Sequence, residues 1–333
     1  MAFKADKIGV TGGITQRSKR RAAPVLHIFG VSFNSAKAHL ALRISSAWPG
    51  TEVRMMDILE SNYKPDFARL NPNMTVPVIE IDDQLITDSD ILTDYLLEKH
   101  PGPGDQRVLA AGRGDDMRQF CALVARWDEG MYTYGHMSGD KGGGMGLMSN
   151  MLRGIRLRQN YVRLPDPQEK VWDGRTLQQA YEQKIAYIAN LSSKVDVGMT
   201  PEKREAFEKN ERLMTDLFAK AEALVQSADK GFLFGPELTT ADAFFAPLLF
   251  RIECMDKSEL AACFDKFPAL RGYWLRFCAT KEGQQAITKF TMKWAFRYAA
   301  SRCLPCAMIG MKMGCVRAPA LPADAEERIR RMF

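Results

Sequence analysis

Between Val25 and Pro101 the apolar positions change period several times. VLHIFG, from Val25, is a continuous run of strand formers, whereas Ala36, Leu40, Ala41 and Ile44 just after it recur at the spacing of one helical face. EVRMMDI, from Glu52, predicts a second strand, and YKPDFARL a short helix. VPVIEID and QLIT predict two further strands joined at the acidic turn Asp82 and Asp83. DSDILTDYLLEKH opens on capping residues and ends at His100, ahead of Pro101 and Gly102, as a helix should.

The order strand, helix, strand, helix, strand, strand, helix predicts a small mixed sheet covered by helices, which is a thioredoxin-like arrangement. The proline- and glycine-rich stretch at 103–113 reads as a linker, and the apolar period is helical from there on. RQFCALVARWDEGMYTYGHM predicts a first long helix with Trp127, Tyr132, Tyr134 and His136 near its end. FLFGPELTTADAFFAPLLFRI predicts a buried helix with Thr239 and Asp242 as its capping box, and FPALRGYWLRFCATKEGQQAI supplies closing helices. The expected organisation is a basic flexible arm at 1–24, a mixed domain at 25–102, the linker, a helical domain at 114–290 with a long insertion near 140–200, and an extension at 291–333.

Composition narrows the classes. A chain of 333 residues that is 46% hydrophobic can bury two ordinary cores. The net charge of +6 is a small excess over a mixed surface and does not point to nucleic acid. Part of it sits in the arm, where Lys4, Lys7, Arg17, Lys19, Arg20 and Arg21 face only Asp6; a disordered arm and a transit peptide are both open readings. Seven cysteines, none of them in residues 1–120, fit a reducing compartment better than a disulfide framework. No apolar run approaches the roughly 18 residues needed to span a bilayer. Cys303, Cys306 and Cys315 lack a fourth ligand nearby, so no metal is expected.

The stretch NPNMTVPVIEIDDQLITDSDILTDYLLEKHP, from Asn71, resembles the signature of glutathione S-transferases: an Asn-Pro, a Val-Pro ahead of a strand, a short hairpin, and an acid-Ser pair opening a helix. The resemblance implies an α/β thioredoxin-like N-terminal domain plus an all-α glutathione-transferase C-terminal domain. It implies a cis Val76–Pro77 peptide that exposes the Val76 backbone to the cysteinyl part of glutathione like an added strand. It implies Ser89, at a helix start, as the seat of the γ-glutamyl carboxylate, with Asp88 for the ammonium and Lys64 for the glycyl carboxylate. Glutathione then enters as co-substrate, and a homodimer is what the family suggests.

In this superfamily the nucleophilic thiol belongs to glutathione, and the protein supplies a hydroxyl just after the first strand. Here that turn reads Val31, Ser32, Phe33, Asn34, Ser35. Ser32 aligns with the serine of serine-type members, where a hydrogen bond favours thiolate over a free thiol of pKa about 8.5; Ser35 reads as the helix cap. Asn34 stands where cysteine-type members, including reductive dehalogenases of chlorinated hydroquinones, carry a thiol, which disfavours mixed-disulfide chemistry. The turn SFNSAKAHL is also similar to that of the ganglioside-induced differentiation-associated proteins, a branch that shares the YTYGH motif, the long insertion and a hydrophobic C-terminal region.

Two functions follow from the resemblance. In the first, Ser32 activates glutathione for transfer to a hydrophobic electrophile received by Trp127, Tyr132, Tyr134 and His136. In the second, the fold is a catalytically weak scaffold for an apolar ligand, a membrane surface or a protein partner. The aromatics Trp294, Phe296 and Tyr298 among Lys293, Arg297 and Arg302 give 291–317 the makings of an interfacial segment touching a membrane peripherally, against a plain helix packed on the domain. The cytoplasm is the expected compartment, with the mitochondrion or a membrane surface as alternatives.

Overall fold

The computed structural model describes residues 13–16, 23–30, 32–57, 61–137, 143–196, 201–228, 231–290 and 318–332. Its sheet holds β1 (Ile14–Gln16), β2 (Val25–Ile28), β3 (Glu52–Met55), β4 (Val78–Ile81) and β5 (Gln84–Ile86) in the order β1-β5-β4-β2-β3. β2 runs parallel to β3 and antiparallel to β4, and the β4–β5 hairpin turns through Asp82 and Asp83, both at positive φ. Strand alternation sorts the side chains. Leu26, Ile28, Ile79, Ile81 and Ile86 face one side, with α1 (Phe33–Ile44) and α3 (Ser89–Lys99); Val78 and Leu85 face the other, with Phe67 of α2 (Pro65–Leu70).

Strand β1 corrects the expectation of a flexible arm over 1–24. Ile14–Gln16 pairs with β5 in antiparallel register, Gly13 donates to the Thr87 hydroxyl at 3.1 Å, and the Thr87 N–H donates to the Gly13 carbonyl at 3.1 Å. Three residues rich in β-branching thus cover an edge that β5 would otherwise leave unpaired. The six basic residues of the arm lie outside the described residues.

The span 103–113, expected as a linker, is built largely of helix α4 (Pro103–Ala110). Gly102, its N-cap, and Gly104 mark close packing. A Cβ on Gly102 would stand 1.9 Å from the Ile44 carbonyl oxygen, and one on Gly104 2.2 Å from that of Leu238. Asp105 of α4, almost fully buried, accepts from the N–H and hydroxyl of Thr240 at 2.8 and 3.0 Å, tying the junction to the helical domain.

That domain comprises α5 (Gly114–Ala125), α6 (Glu129–Met137), α9 (Pro201–Ser227), α10 (Thr240–Met255), α11 (Lys257–Lys266), α12 (Pro268–Ala279) and α13 (Lys281–Ala286). The single long helix expected over 118–137 is two. Asp128 breaks it: its Oδ1 accepts the Met131 N–H at 2.9 Å, and Asn210 of α9 bonds both its N–H and its carbonyl, at 2.8 and 3.0 Å. The capping box of α10 is present, with the Thr239 N–H and hydroxyl both on Asp242 Oδ2 at 2.7 and 2.9 Å.

The insertion forms α7 (Gly143–Tyr161) and α8 (Leu177–Asp196), joined by a hairpin bridged at Lys170 and Thr176. It docks on the outer side of α2. Tyr63, Ala68 and Met74 share one buried cluster with Leu157, Tyr161, Val171, Leu177 and Tyr181, so α2 is sandwiched between the sheet and the insertion. The end of the chain closes this layer: α14 (Ala323–Arg331) lays Ala325 and Ile329 on α8, and Arg328 bonds the buried Glu182 through both oxygens. Helix packing on the domain is therefore the outcome for 323–331, while 291–317, the segment expected to touch a membrane, lies outside the described residues. Among the described residues no helix is long and apolar enough to cross a bilayer.

Candidate active site

The turn after β2 decides where the first hydroxyl stands. Ser32 is the N-cap of α1, in extended backbone, and its Oγ accepts the Ser35 N–H at 3.3 Å. This corrects the expectation that Ser35 caps the helix. Ser35 sits three positions into the helix, buried, with its Oγ accepting the Phe29 N–H at 3.2 Å, so it braces the end of β2 and caps nothing. Ser32 is partly exposed at the positive end of the helix dipole. The bond from Ser35 uses a lone pair, and the Ser32 hydroxyl proton is left to donate elsewhere.

The second helix start lies beside the first. Asp88 is the N-cap of α3, with Oδ1 accepting from Asp90 and Ile91 at 2.8 and 3.1 Å, and Ser89 is the first helical residue. The Ser89 hydroxyl donates to Oδ1 of Asn34, on the first turn of α1, at 3.2 Å. One turn on, the buried ammonium of Lys37 pairs with Asp90 and sits 4.7 Å from the Phe244 ring centroid. Two ties thus join the first two turns of α1 to the first turn of α3, and neither residue on α1 reads as a binding group from the sequence. Their spacing of three would have shown only that they share a face.

Ahead of β4, the Val76–Pro77 peptide is cis. Neither the N–H nor the carbonyl of Val76 has a hydrogen-bond partner among the described residues. The loop leading to it is held from several sides. Asn71 Nδ2 donates to the Thr75 carbonyl at 2.8 Å, Asn71 Oδ1 accepts from the Asn73 N–H at 3.1 Å, and Asn62 Nδ2 reaches the Met74 carbonyl at 3.0 Å. From the insertion, Trp172 Nε1 donates to the Leu70 carbonyl at 3.1 Å and Arg175 Nη2 to Asn73 Oδ1 at 2.7 Å. The pair of asparagines around Pro72 was the available sequence signal for this bracing. Arg175, a hundred residues on, carried none.

The remaining candidates are not all alike. Lys64 is exposed as the N-cap of α2. Trp127 is buried edge-on to Phe33, the residue after Ser32, with ring centroids 5.6 Å apart, and packs tilted against Tyr132 with centroids 5.3 Å apart. Tyr132 is fully buried and spends its hydroxyl on Glu259 Oε2 at 2.7 Å; burial, then that bond, drive its phenol far above the usual range. It belongs to the core, not to a surface a ligand could touch. Tyr134 and His136 lie on α6, with side chains outside the described part. Cys121 is buried, its thiol pushed well up by desolvation, and is no nucleophile.

Comparison with known proteins meets this geometry at both ends of the fold. The family described as glutathione S-transferase, N-terminal domain, matches residues 26–104, and glutathione S-transferase, C-terminal domain, matches 181–281. A tetrachloro-p-hydroquinone reductive dehalogenase from Sphingobium chlorophenolicum is 24% identical over 269 residues, covering 78% of this chain and 94% of that protein. A probable maleylacetoacetate isomerase from Caenorhabditis elegans is 32% identical over 78 residues, 23% of this chain and 36% of its own length. Among solved structures, a beta-etherase from Sphingobium sp. strain SYK-6 superposes with a TM-score of 0.54 at 16% identity, over 79% of this chain and 98% of the other, a likeness of fold. Matched in both domains and in their order, with a thioredoxin-like sheet followed by a helical domain, the chain belongs to the glutathione S-transferase superfamily.

Proposed function

We propose that this protein is a serine-type glutathione transferase, in which Ser32 holds the glutathione sulfur as thiolate for attack on a small hydrophobic electrophile. The observation that carries the reading is the Ser32 hydroxyl: capped from within by the Ser35 N–H at 3.3 Å, it keeps its proton for an acceptor outside the helix. A thiolate there receives a charge-assisted hydrogen bond and the field of the α1 N-terminus, and both lower the thiol pKa.

The peptide is held by backbone and helix ends. The unpartnered N–H and carbonyl of Val76, next to Pro77, accept the cysteinyl residue as an added strand. The first turn of α3 takes the γ-glutamyl carboxylate at Ser89, Asp88 offers the oxygen not used in its cap to the ammonium, and Lys64 meets the glycyl carboxylate. The electrophile lies on the side of Phe33 and Trp127. The thiolate attacks an electron-poor carbon, the carbon–sulfur bond forms, and a leaving group departs with its electron pair or a conjugated double bond takes up a proton.

The named relatives concern a chlorinated hydroquinone and maleylacetoacetate, which supports a small functionalised carbon compound as substrate. Reduction through a protein mixed disulfide is not part of the proposal, because no cysteine occurs before Cys121. Titration of glutathione by calorimetry, with conjugation of a generic aryl halide, tests the reading. Wild type should bind and turn over; Ser89→Ala should lose binding; Ser32→Ala should keep binding and lose turnover. A folded wild type that neither binds glutathione nor conjugates refutes it.

A further inference from the structure

Ser89 is the first helical residue of α3 and nearly sealed from solvent, and its hydroxyl has one neighbour that fixes its direction, the Asn34 amide 3.2 Å away. A serine hydroxyl holds a single proton. With Asn34 Oδ1 as acceptor, that proton points to α1, and Ser89 can offer an incoming carboxylate only its backbone N–H. Turned by 180°, the same amide presents Nδ2, which donates to Ser89 Oγ and releases the proton to the ligand. The two ends of an asparagine side chain occupy nearly the same space, so the exchange needs no movement of either helix. Lys37, one turn further along α1, ties α1 to α3 through the Asp90 carboxylate in either arrangement.

We propose that Asn34 is a positioning residue for the carboxylate end of glutathione, acting through Ser89: its amide donates to Ser89 Oγ in the bound state and so aims the hydroxyl proton at the ligand. The inference rests on the glutathione reading above. It explains why an amide suits the position. An acceptor alone would keep the Ser89 proton for itself, and a carboxylate would also repel the ligand's own charge.

Asn34→Asp isolates this, since it keeps the shape and the acceptor and removes the donor. Calorimetric titration with glutathione at pH 7.5 should show affinity falling about tenfold or more relative to wild type, the equivalent of one lost bond to a charged group. The loss should appear in KM for glutathione and not in kcat, and should shrink as the pH is lowered and the introduced carboxyl takes up a proton that it can donate. Asn34→Ala, which removes both ends of the amide, should bind about three- to tenfold more weakly without that pH dependence. Wild-type affinity in a folded Asn34→Asp, or in Asn34→Ala should the first not fold, overturns the inference while leaving the glutathione reading standing. Absence of binding in wild type overturns both.

Discussion

Arg175 Nη2 lies 2.7 Å from Asn73 Oδ1, a residue 102 positions earlier in the chain. The bond joins the insertion to the loop that delivers Val76 and Pro77, and it is one of several. Trp172 caps the Leu70 carbonyl, Arg69 forks onto Glu169 at 2.7 and 2.8 Å, and the Tyr181 hydroxyl bonds the Tyr63 carbonyl. Helix α2 and the loop after it are thereby gripped on the side away from the sheet. An element of six residues would be marginal by itself. Here it is pre-organised by the insertion, and the affinity of the proposed peptide site becomes linked to residues far from it.

Removing one grip should therefore loosen the loop and weaken binding together. Arg175→Ala is expected to speed amide exchange over residues 71–76 and to weaken glutathione binding about three- to tenfold, the effect of losing about 0.6 to 1.4 kcal/mol of ordering interactions. Exchange mass spectrometry alongside calorimetry checks it; unchanged exchange in this loop would separate the insertion from the site.

The C-terminal helix should stabilise the same layer. Burial alone would raise the Glu182 carboxyl, but the bonds from Arg328, Tyr161 and Gln178 outweigh it and hold it below its ordinary value of 4.5. A carboxylate depressed by folding contributes stability above its unfolded pKa, and that contribution is lost as the pH falls through the folded value. Arg328→Ala should cost about 2 kcal/mol in urea denaturation at pH 7, and the difference from wild type should narrow in acid.

His39 predicts a second loss of stability in acid, of the same sign and from a base. It is buried on α1 between Trp48 and Phe290, with ring centroids at 5.8 and 4.8 Å, and burial, helped by Arg43, pushes its pKa down from 6.5 to about 3. The folded protein refuses a proton that the unfolded chain accepts below pH 6.5, so stability is full above that pH and falls beneath it. Between pH 7 and 5 the loss should be about 2 kcal/mol at 1.36 kcal/mol per unit. His39→Leu should flatten that slope in denaturation series at the two pH values.

Much of the fold was legible because its signals are local: the change of period at Val25 and Ala36, the prolines and acidic turn before α3, and, in the helical domain, the capping box Thr239 and Asp242. The misreadings share one physical cause, which is that tertiary contacts decided the matter. Gly102 and Gly104 look like linker residues until the carbonyls packed against them are seen. Asp128 breaks an otherwise helical run because Asn210, 82 residues on, satisfies its backbone. Tyr132 reads as a substrate-facing aromatic, and its full burial and the bond to Glu259 assign it to the core. At the candidate site the cap passed from Ser35 to Ser32 for the same reason, since Ser35 is claimed by Phe29.

The central claim is that the Ser32 hydroxyl stabilises a glutathione thiolate. The most direct measurement is a pH titration of the ultraviolet thiolate absorbance of glutathione bound to the wild type and to Ser32→Ala. The account predicts a bound thiol that ionises at least one pH unit below its free value of about 8.5 in wild type and close to that value in the variant. Equal ionisation in the two proteins, with glutathione bound to both, would contradict it.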